Sequence, residues 1–167
     1  MSNAIRILGL DPGLRRTGWG VIEYGAGRLE HVAHGVVTAD EKAPLASRLL
    51  EIHAGVAAAI GAFAPDECAI EETFVTANGA STLKLGHARA AAMLAAAGAG
   101  LPVAEYAARL VKKAVVGTGA AEKAQVAFMV ARLLPAARSP SADAADALAV
   151  AICHAHLRRS RALGAVA

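Results

Sequence analysis

Four carboxylates stand at positions that point to chemistry. Asp143 and Asp146 fall in Ser141-Ala142-Asp143-Ala144-Ala145-Asp146-Ala147-Leu148, inside a helical pattern. Positions i and i+3 share one helix face, one turn apart, and like charges there repel unless a cation sits between them. Leu148, Ile152 and Ala155 mark the buried stripe; the two aspartates lie near its edge, among alanines that leave them unobstructed. Aspartate near a helix start also has an ordinary use against the helix dipole. Asp11 closes a short apolar strand pattern and shares a face with Ile5, Ile7 and Gly9. That is the carboxyl end of a strand, where α/β sheets place their sites. Asp11 also opens a Pro12-Gly13 turn, a common use of aspartate. Glu71 closes the apolar run Cys68-Ala69-Ile70, where a buried carboxylate is costly without a partner. The neighbouring Glu72 fits the alternative of an exposed strand end.

Carboxylate oxygens without paired histidine or cysteine suit a hard cation such as Mg²⁺ or Mn²⁺. Four of them, from two strand ends and one helix start, would suit two ions about 3.5–4 Å apart. Such a pair activates water and stabilises the leaving oxygen in phosphodiester hydrolysis. The four must converge for this, and spacing alone does not bring them together.

Basic residues supply the other half. Lys112 and Lys113 lie across the break Gly117-Thr118-Gly119 from Lys123. Backbone N–H groups at such a break, beside a helix start, can hold a phosphate. The GK[ST] ending of a phosphate-binding loop and the third glycine of a dinucleotide fingerprint are missing. A solvated helix face is the ordinary use of these lysines, and Lys84, Arg89, Arg15 and Arg16 are weaker candidates for the same reason. Phe74 lies in an expected loop after Glu71, where an aromatic can stack on an unpaired base or turn into the core. His154 and His156 are two apart on a helix and splay apart, so they read as helix residues, not ligands. Trp19 reads as core.

These residues need elements to position them. Ile5–Leu10, Thr17–Tyr24 and Leu29–Thr38 read as three consecutive strands, with a hairpin break at Gly25-Ala26-Gly27. Leu45, Leu49, Ile52, Val56 and Ile60 follow helical spacing up to Pro65. A short strand at 68–71 follows, then a helix over 81–97 with Leu83, His87, Ala90 and Leu94 on one side. A strand at 101–106 comes next, then helices over 107–116, 121–134 and, after Ser139-Pro140-Ser141, to about Arg159. The order βββ-α-β-α-β-α-α-α predicts an α/β fold: a mixed five-stranded sheet with helices on both faces. No repeat or linker divides it, so residues 1–167 read as one domain with an ordered core over 5–156.

Composition agrees. The chain has 167 residues, 56% apolar and 19% charged, which excludes disorder and a disulfide scaffold. Cys68 and Cys153 sit in apolar runs and read as reduced thiols in a reducing compartment, and no signal peptide is expected because Arg6 and Asp11 interrupt the first apolar run. No membrane partner is expected, since every long apolar stretch is broken by polar residues. The net charge is only +3. Without the four carboxylates, seventeen basic residues stand against ten acidic ones, a net +7. That permits a nucleic-acid partner around a small acidic site without requiring one.

The motifs ILGLDPGLRRTGWGVI, AIEETF, LKLGHARA, EYAARLVKKAVVGTGAAEKAQV and ADAADALAVAICHAH, in this order, resemble the bacterial crossover junction endodeoxyribonuclease (RuvC) family of Holliday junction resolvases. The resemblance spans about Ile5 to His156. It implies a ribonuclease H-like fold, a homodimer, and Asp11, Glu71, Asp143 and Asp146 as catalytic metal ligands. In some members a histidine stands where this chain has Asp143. The resemblance also assigns Phe74 to bases near a crossover, and Lys112 and Lys123 to the DNA backbone, with Lys84 and Arg89 as further DNA candidates. It implies Mg²⁺ or Mn²⁺, two per subunit, paired nicks in four-way junction DNA, RuvA and RuvB as partners, and a cytoplasmic setting. Relatives often carry a lysine near Ala77, so one DNA contact is shifted or absent here. The helix around 89–98 is expected at the dimer face, because small residues allow close approach. A nuclease of the same fold acting on another nucleic acid, an actin-like phosphotransferase and a non-catalytic junction binder are the rivals. The second needs more chain than is present, and in the third four carboxylates would only repel DNA.

Overall fold

The computed structural model describes residues 4–72 and 77–164, with side chains described up to Arg158. Three antiparallel strands open the chain: β1 (Ile5–Asp11), β2 (Arg16–Gly25) and β3 (Arg28–Thr38). Ala26 and Gly27, both at positive φ, form the two-residue turn between β2 and β3, the geometry that matches strand twist. Next come α1 (Leu45–Phe63), β4 (Glu67–Glu71), α2 (Gly79–Gly98) and β5 (Val103–Tyr106). The chain finishes with α3 (Ala108–Val116), α4 (Lys123–Leu133), a 3₁₀ turn over Pro135–Ala137 and α5 (Ala142–Gly164). The sheet order is β3-β2-β1-β4-β5, with β4 parallel to β1 and β5 parallel to β4. The expected mixed sheet is present, flanked on both faces.

Strand alternation divides the core. Leu8, Leu10, Val21 and Ile70 face α1 and α2, burying Ile52 and Val56. Ile7 and Ile22 face the other way, against α5, with Val111 of α3 and Val126 of α4 behind it. Among the described residues α1 alone has the length and hydropathy to cross a membrane, which departs from the expected absence of such a segment. Here its Ile52, Val56, Ala59 and Ile60 close one layer of the core.

Several boundaries differ from expectation. α4 starts at Lys123, not 121, because Glu122 caps it: the Glu122 N–H donates to Gln125 Oε1 at 2.8 Å, and the Glu122 side chain accepts from the Gln125 amide. α5 continues to Gly164, past 159, and the 3₁₀ turn was not expected. The buried face of α2 is made by its alanines, and the side that carries Leu83 and Leu94 turns outward. Ala88, Ala91, Ala92, Ala95 and Ala96 pack inward, while Leu83 and Leu94 are each 64% exposed. In so alanine-rich a helix the small residues make the close contact, and the large apolar ones do not mark the core.

Alanine has a second use in α5. A Cβ on Gly9 would lie 2.1 Å from Ala147 O, and one on Gly18 only 1.9 Å from Asp143 O. Gly9 of β1 and Gly18 and Gly20 of β2 thus form a flat seat, and α5 lies directly on the strand backbones. The alanine-rich composition is in this helix a packing requirement.

Candidate active site

Parallel pairing sets the first contact. Leu10 lies opposite Ile70, so the next residues, Asp11 and Glu71, end neighbouring strands side by side. Asp11 also pairs with Gly18, and the start of α5 rests on that glycine. The seat therefore delivers the α5 carboxylates to the carboxyl end of β1. Asp11, Glu71 and Asp146 line one cavity of about 190 Å³ together with Lys112 of α3 and Lys123 of α4. Ala108, Val111, Val126 and Ala149 form its apolar floor.

The electrostatics follow from this crowding. Burial, then Glu71, Asp146 and Asp143, push the Asp11 carboxyl up to about 7; Lys123 offsets part of that. Glu71 is raised above the usual carboxylate range by burial and by Asp146, against the pull of Lys123 and Lys112. Lys123 Nζ donates to Asp146 Oδ2 at 3.1 Å, which raises the lysine.

Asp143 stands apart from these three. Arg16 Nε donates to Asp143 Oδ2 at 2.6 Å, and Asp143 does not line the cavity. Among the described residues no three carboxylate, histidine or cysteine groups close to metal-ligating geometry. The expected convergence therefore holds for three of the four carboxylates.

The remaining expected residues fall out as follows. Arg89 is not free for a ligand: it donates to the Glu71 carbonyl at 3.2 Å and pairs with Glu105, bracing the ends of β4 and β5. Lys84 is exposed on α2. Phe74 lies outside the described residues, as do Val75 and Thr76; Asn78 caps α2 through Oδ1. At the glycine break several amides are already paired within the chain. Gly117 N–H donates to Lys113 O and Ala120 N–H to Thr118 Oγ1, and the Glu122 carboxylate occupies the start of α4. His154 is buried, joined to Tyr106 Oη at 2.8 Å and Glu67 Oε2 at 2.6 Å; His156 reaches Ala114 O. Trp19 packs against Phe63 in the α1 layer. Sequence reasoning missed the Arg16–Asp143 pair and the glycine seat. The spacing Gly9, Gly18, Gly20 on two paired strands was the available signal for the seat.

A family model described as crossover junction endodeoxyribonuclease RuvC matches residues 7–154. The chain belongs to the RuvC family. The match contains all four carboxylates, Lys112 and Lys123. A protein named crossover junction endodeoxyribonuclease RuvC from Caulobacter sp. (strain K31) is 67% identical over 154 residues, 92% of this chain and 91% of its own. The protein of that name from Maricaulis maris (strain MCS10) is 64% identical over 167 residues, the full length of both. Among solved structures, T. thermophilus RuvC in complex with Holliday junction substrate superposes with a TM-score of 0.85 at 36% identity, covering 93% of this chain and 96% of that one. A yeast mitochondrial Holliday junction resolvase shares the fold at a TM-score of 0.63 and 13% identity, covering 94% of this chain and 82% of its own. The RuvC fold is thus the mixed α/β sheet described above.

Proposed function

We propose that this chain is a Holliday junction resolvase, a metal-dependent endonuclease of DNA recombination and repair that nicks two opposed strands of a four-way junction. The meeting of Asp11, Glu71 and Asp146 with Lys112 and Lys123 in one cavity carries this reading. The RuvC family model and the Thermus complex with its Holliday junction substrate support the nuclease activity and the junction as substrate.

The residues fit a divalent cation. The donors are oxygen only, and Asp11 is pushed up to about 7 by burial and then by neighbouring carboxylates whose repulsion a cation would neutralise. Asp11, Glu71, Asp146 and, once released, Asp143 would hold Mg²⁺ or Mn²⁺, two ions per subunit. When bound, such ions supply water activation and stabilisation of the leaving oxygen. The chain does the rest. Lys112 and Lys123 hold backbone phosphates as point charges. The apolar floor fixes the carboxylates against the sheet and limits water. Phe74 stacks on a base near the crossover, and Lys84 is an outer DNA contact. A homodimer two-fold places two such sites on opposed strands. The outer face of α2, with Leu83, Ala90 and Leu94, is its contact surface. One catalytic domain over 1–167, RuvA and RuvB as partners, and a cytoplasmic setting complete the reading; both cysteines are buried in the core, which suits reduced thiols in a reducing compartment.

The test is a denaturing gel of a labelled synthetic four-way junction, with and without Mg²⁺ or Mn²⁺, beside linear duplex and an RNA–DNA hybrid. Paired symmetric nicks confined to the junction and dependent on the cation are expected. Asp146→Asn should keep junction binding and abolish nicking. Preferential cleavage of the hybrid would transfer the function to a different nucleic acid.

A further inference from the structure

Asp143 is a proposed metal ligand that lies outside the cavity of Asp11, Glu71 and Asp146. Arg16 and Gly18 are two residues apart on β2, so both face α5. Gly18 pairs with Asp11 at the last position of β1. Arg16 therefore extends beyond the end of β1 and projects across the first turn of α5. There its Nε reaches Asp143 Oδ2 at 2.6 Å. The contact is held from both sides, because the missing Cβ of Gly18 lets the Asp143 backbone lie directly against β2. Arg15 turns the other way, to Glu41 at 2.6 Å. Among the described residues no other cation is within ion-pair reach of Asp143.

Three further facts bear on what this pair does. Arg16 is 46% exposed and Asp143 33%, so the pair is open to solvent at the rim of the cavity. An exposed ion pair contributes little net stability and exchanges readily. A guanidinium recognises phosphate oxygens as well as it does a carboxylate, with the same forked geometry. Asp143 is also the weakest of the carboxylates acting on Asp11, consistent with its being held off.

We infer that Arg16 is a latch on Asp143 that a DNA backbone phosphate opens. In the DNA-free chain Arg16 holds the fourth carboxylate at the rim and leaves the metal site with three. When a phosphate of the junction takes the guanidinium, Asp143 is released toward the cation. Completion of the site is thereby coupled to substrate contact, and Arg16 is a positioning residue for Asp143. The inference rests on the proposed metal site and deepens it.

The experiment is Mn²⁺ binding to the DNA-free protein, read by electron paramagnetic resonance, for wild type, Arg16→Gln, Asp143→Asn and the double variant. Arg16→Gln should bind Mn²⁺ about 2–5-fold more tightly, the scale of one exposed ion pair. Asp143→Asn should change little in the wild-type background and remove the gain in the Arg16→Gln background, a non-additive cycle. Arg16→Lys should restore most of the wild-type behaviour. In EDTA, Arg16→Gln should bind the junction more weakly, with a salt slope lower by about one. Unchanged or weaker Mn²⁺ binding by Arg16→Gln overturns the latch, and an unchanged salt slope overturns its opening by phosphate. Asp11→Asn separates the two readings. If it abolishes Mn²⁺ binding while Arg16→Gln is silent, the metal site stands and the latch falls. If it leaves Mn²⁺ binding intact, the metal site itself falls, and the latch with it.

Discussion

Lys123 Nζ lies 3.1 Å from Asp146 Oδ2, joining the first residue of α4 to the first turns of α5 across the cavity mouth. The basic and the acidic halves of the site therefore touch. Lys123 is 83% exposed and Asp146 only 24%, so the lysine can swing outward while the carboxylate stays in place. The proposed phosphate contact would draw Lys123 away from Asp146 when substrate binds.

Lys123→Gln should accordingly weaken junction binding for every sequence alike, because a phosphate contact carries no base readout. The slope of log affinity against log salt should fall by about one. Filter binding at several salt concentrations in EDTA measures this. An unaltered slope would mean that Lys123 serves only Asp146.

Asp11→Asn should make the metal-free protein more stable while ending cleavage. The Asp11 carboxyl is largely withdrawn from water beside Glu71 and Asp146, so its charge is unfavourable without a cation. An uncharged isostere removes that repulsion. At pH 8 in EDTA the melting temperature should rise by roughly 3–8 °C. Added Mg²⁺ should stabilise the wild type and leave the variant unchanged. A variant that melts lower in EDTA contradicts the crowding argument.

Gly18→Ala tests the seat of α5. The added Cβ would lie 1.9 Å from Asp143 O and 2.4 Å from its carbonyl carbon, both backbone atoms that cannot rotate away. Overpacking of this kind costs about 1–3 kcal/mol. The start of α5 must also shift, and a displacement of about 1 Å costs on the order of 10²-fold in rate. Urea unfolding and junction nicking should therefore both suffer. Full activity at reduced stability would show that the helix start has slack.

How legible all this was in the sequence depends on the residue. Asp11 and Glu71 were readable because each ends a short apolar run, and a strand's end is a fixed place. Asp143 and Asp146 were readable as a same-face pair. Their different fates were not: Asp146 faces the cavity and Asp143 faces Arg16, and only the seating of α5 on Gly18 decides that. The order of elements and the mixed sheet followed from the pattern, but the strand order β3-β2-β1-β4-β5 was not readable from it. Nor was the buried face of α2, which Ala88, Ala92 and Ala96 provide while Leu83 and Leu94 lie outside. Alanine carries little hydropathy contrast, so periodicity loses its signal in such helices. The bracing contacts of Arg89 were not readable, since its partners, the Glu71 carbonyl and Glu105, lie on strands that only the fold brings to it.

The exposed leucines of α2 carry the dimer proposal. Leu94 is 64% exposed on a helix whose other face is fully engaged. Leu94→Glu places two charges against each other across a two-fold axis. Light scattering after gel filtration should show a shift from dimer to monomer, and paired nicks should become single, unlinked ones. A variant that remains dimeric moves the interface elsewhere.

Acid stability should depend on Glu67. Its carboxylate accepts from Arg158 Nε at 3.2 Å and from His154 Nε2 at 2.6 Å. A carboxylate only accepts, so Nε2 carries the hydrogen and Nδ1 accepts from Tyr106 Oη at 2.8 Å. This chain ties the start of β4, at Glu67, and the end of β5, at Tyr106, to α5. The Arg158 hydrogen bond, helped by His154, holds Glu67 below the usual 4.5 despite burial. A depressed carboxylate contributes stability that is complete above its unfolded value and is lost as pH falls through its folded one. Glu67→Gln should therefore melt about 3–6 °C lower at pH 7, the effect of about 1–2 kcal/mol. The gap should narrow below about pH 4.5 and close once the wild-type carboxyl is protonated. Melting curves for both proteins between pH 3 and 7 measure it, and a gap independent of pH would mean that Glu67 contributes through shape and not through charge.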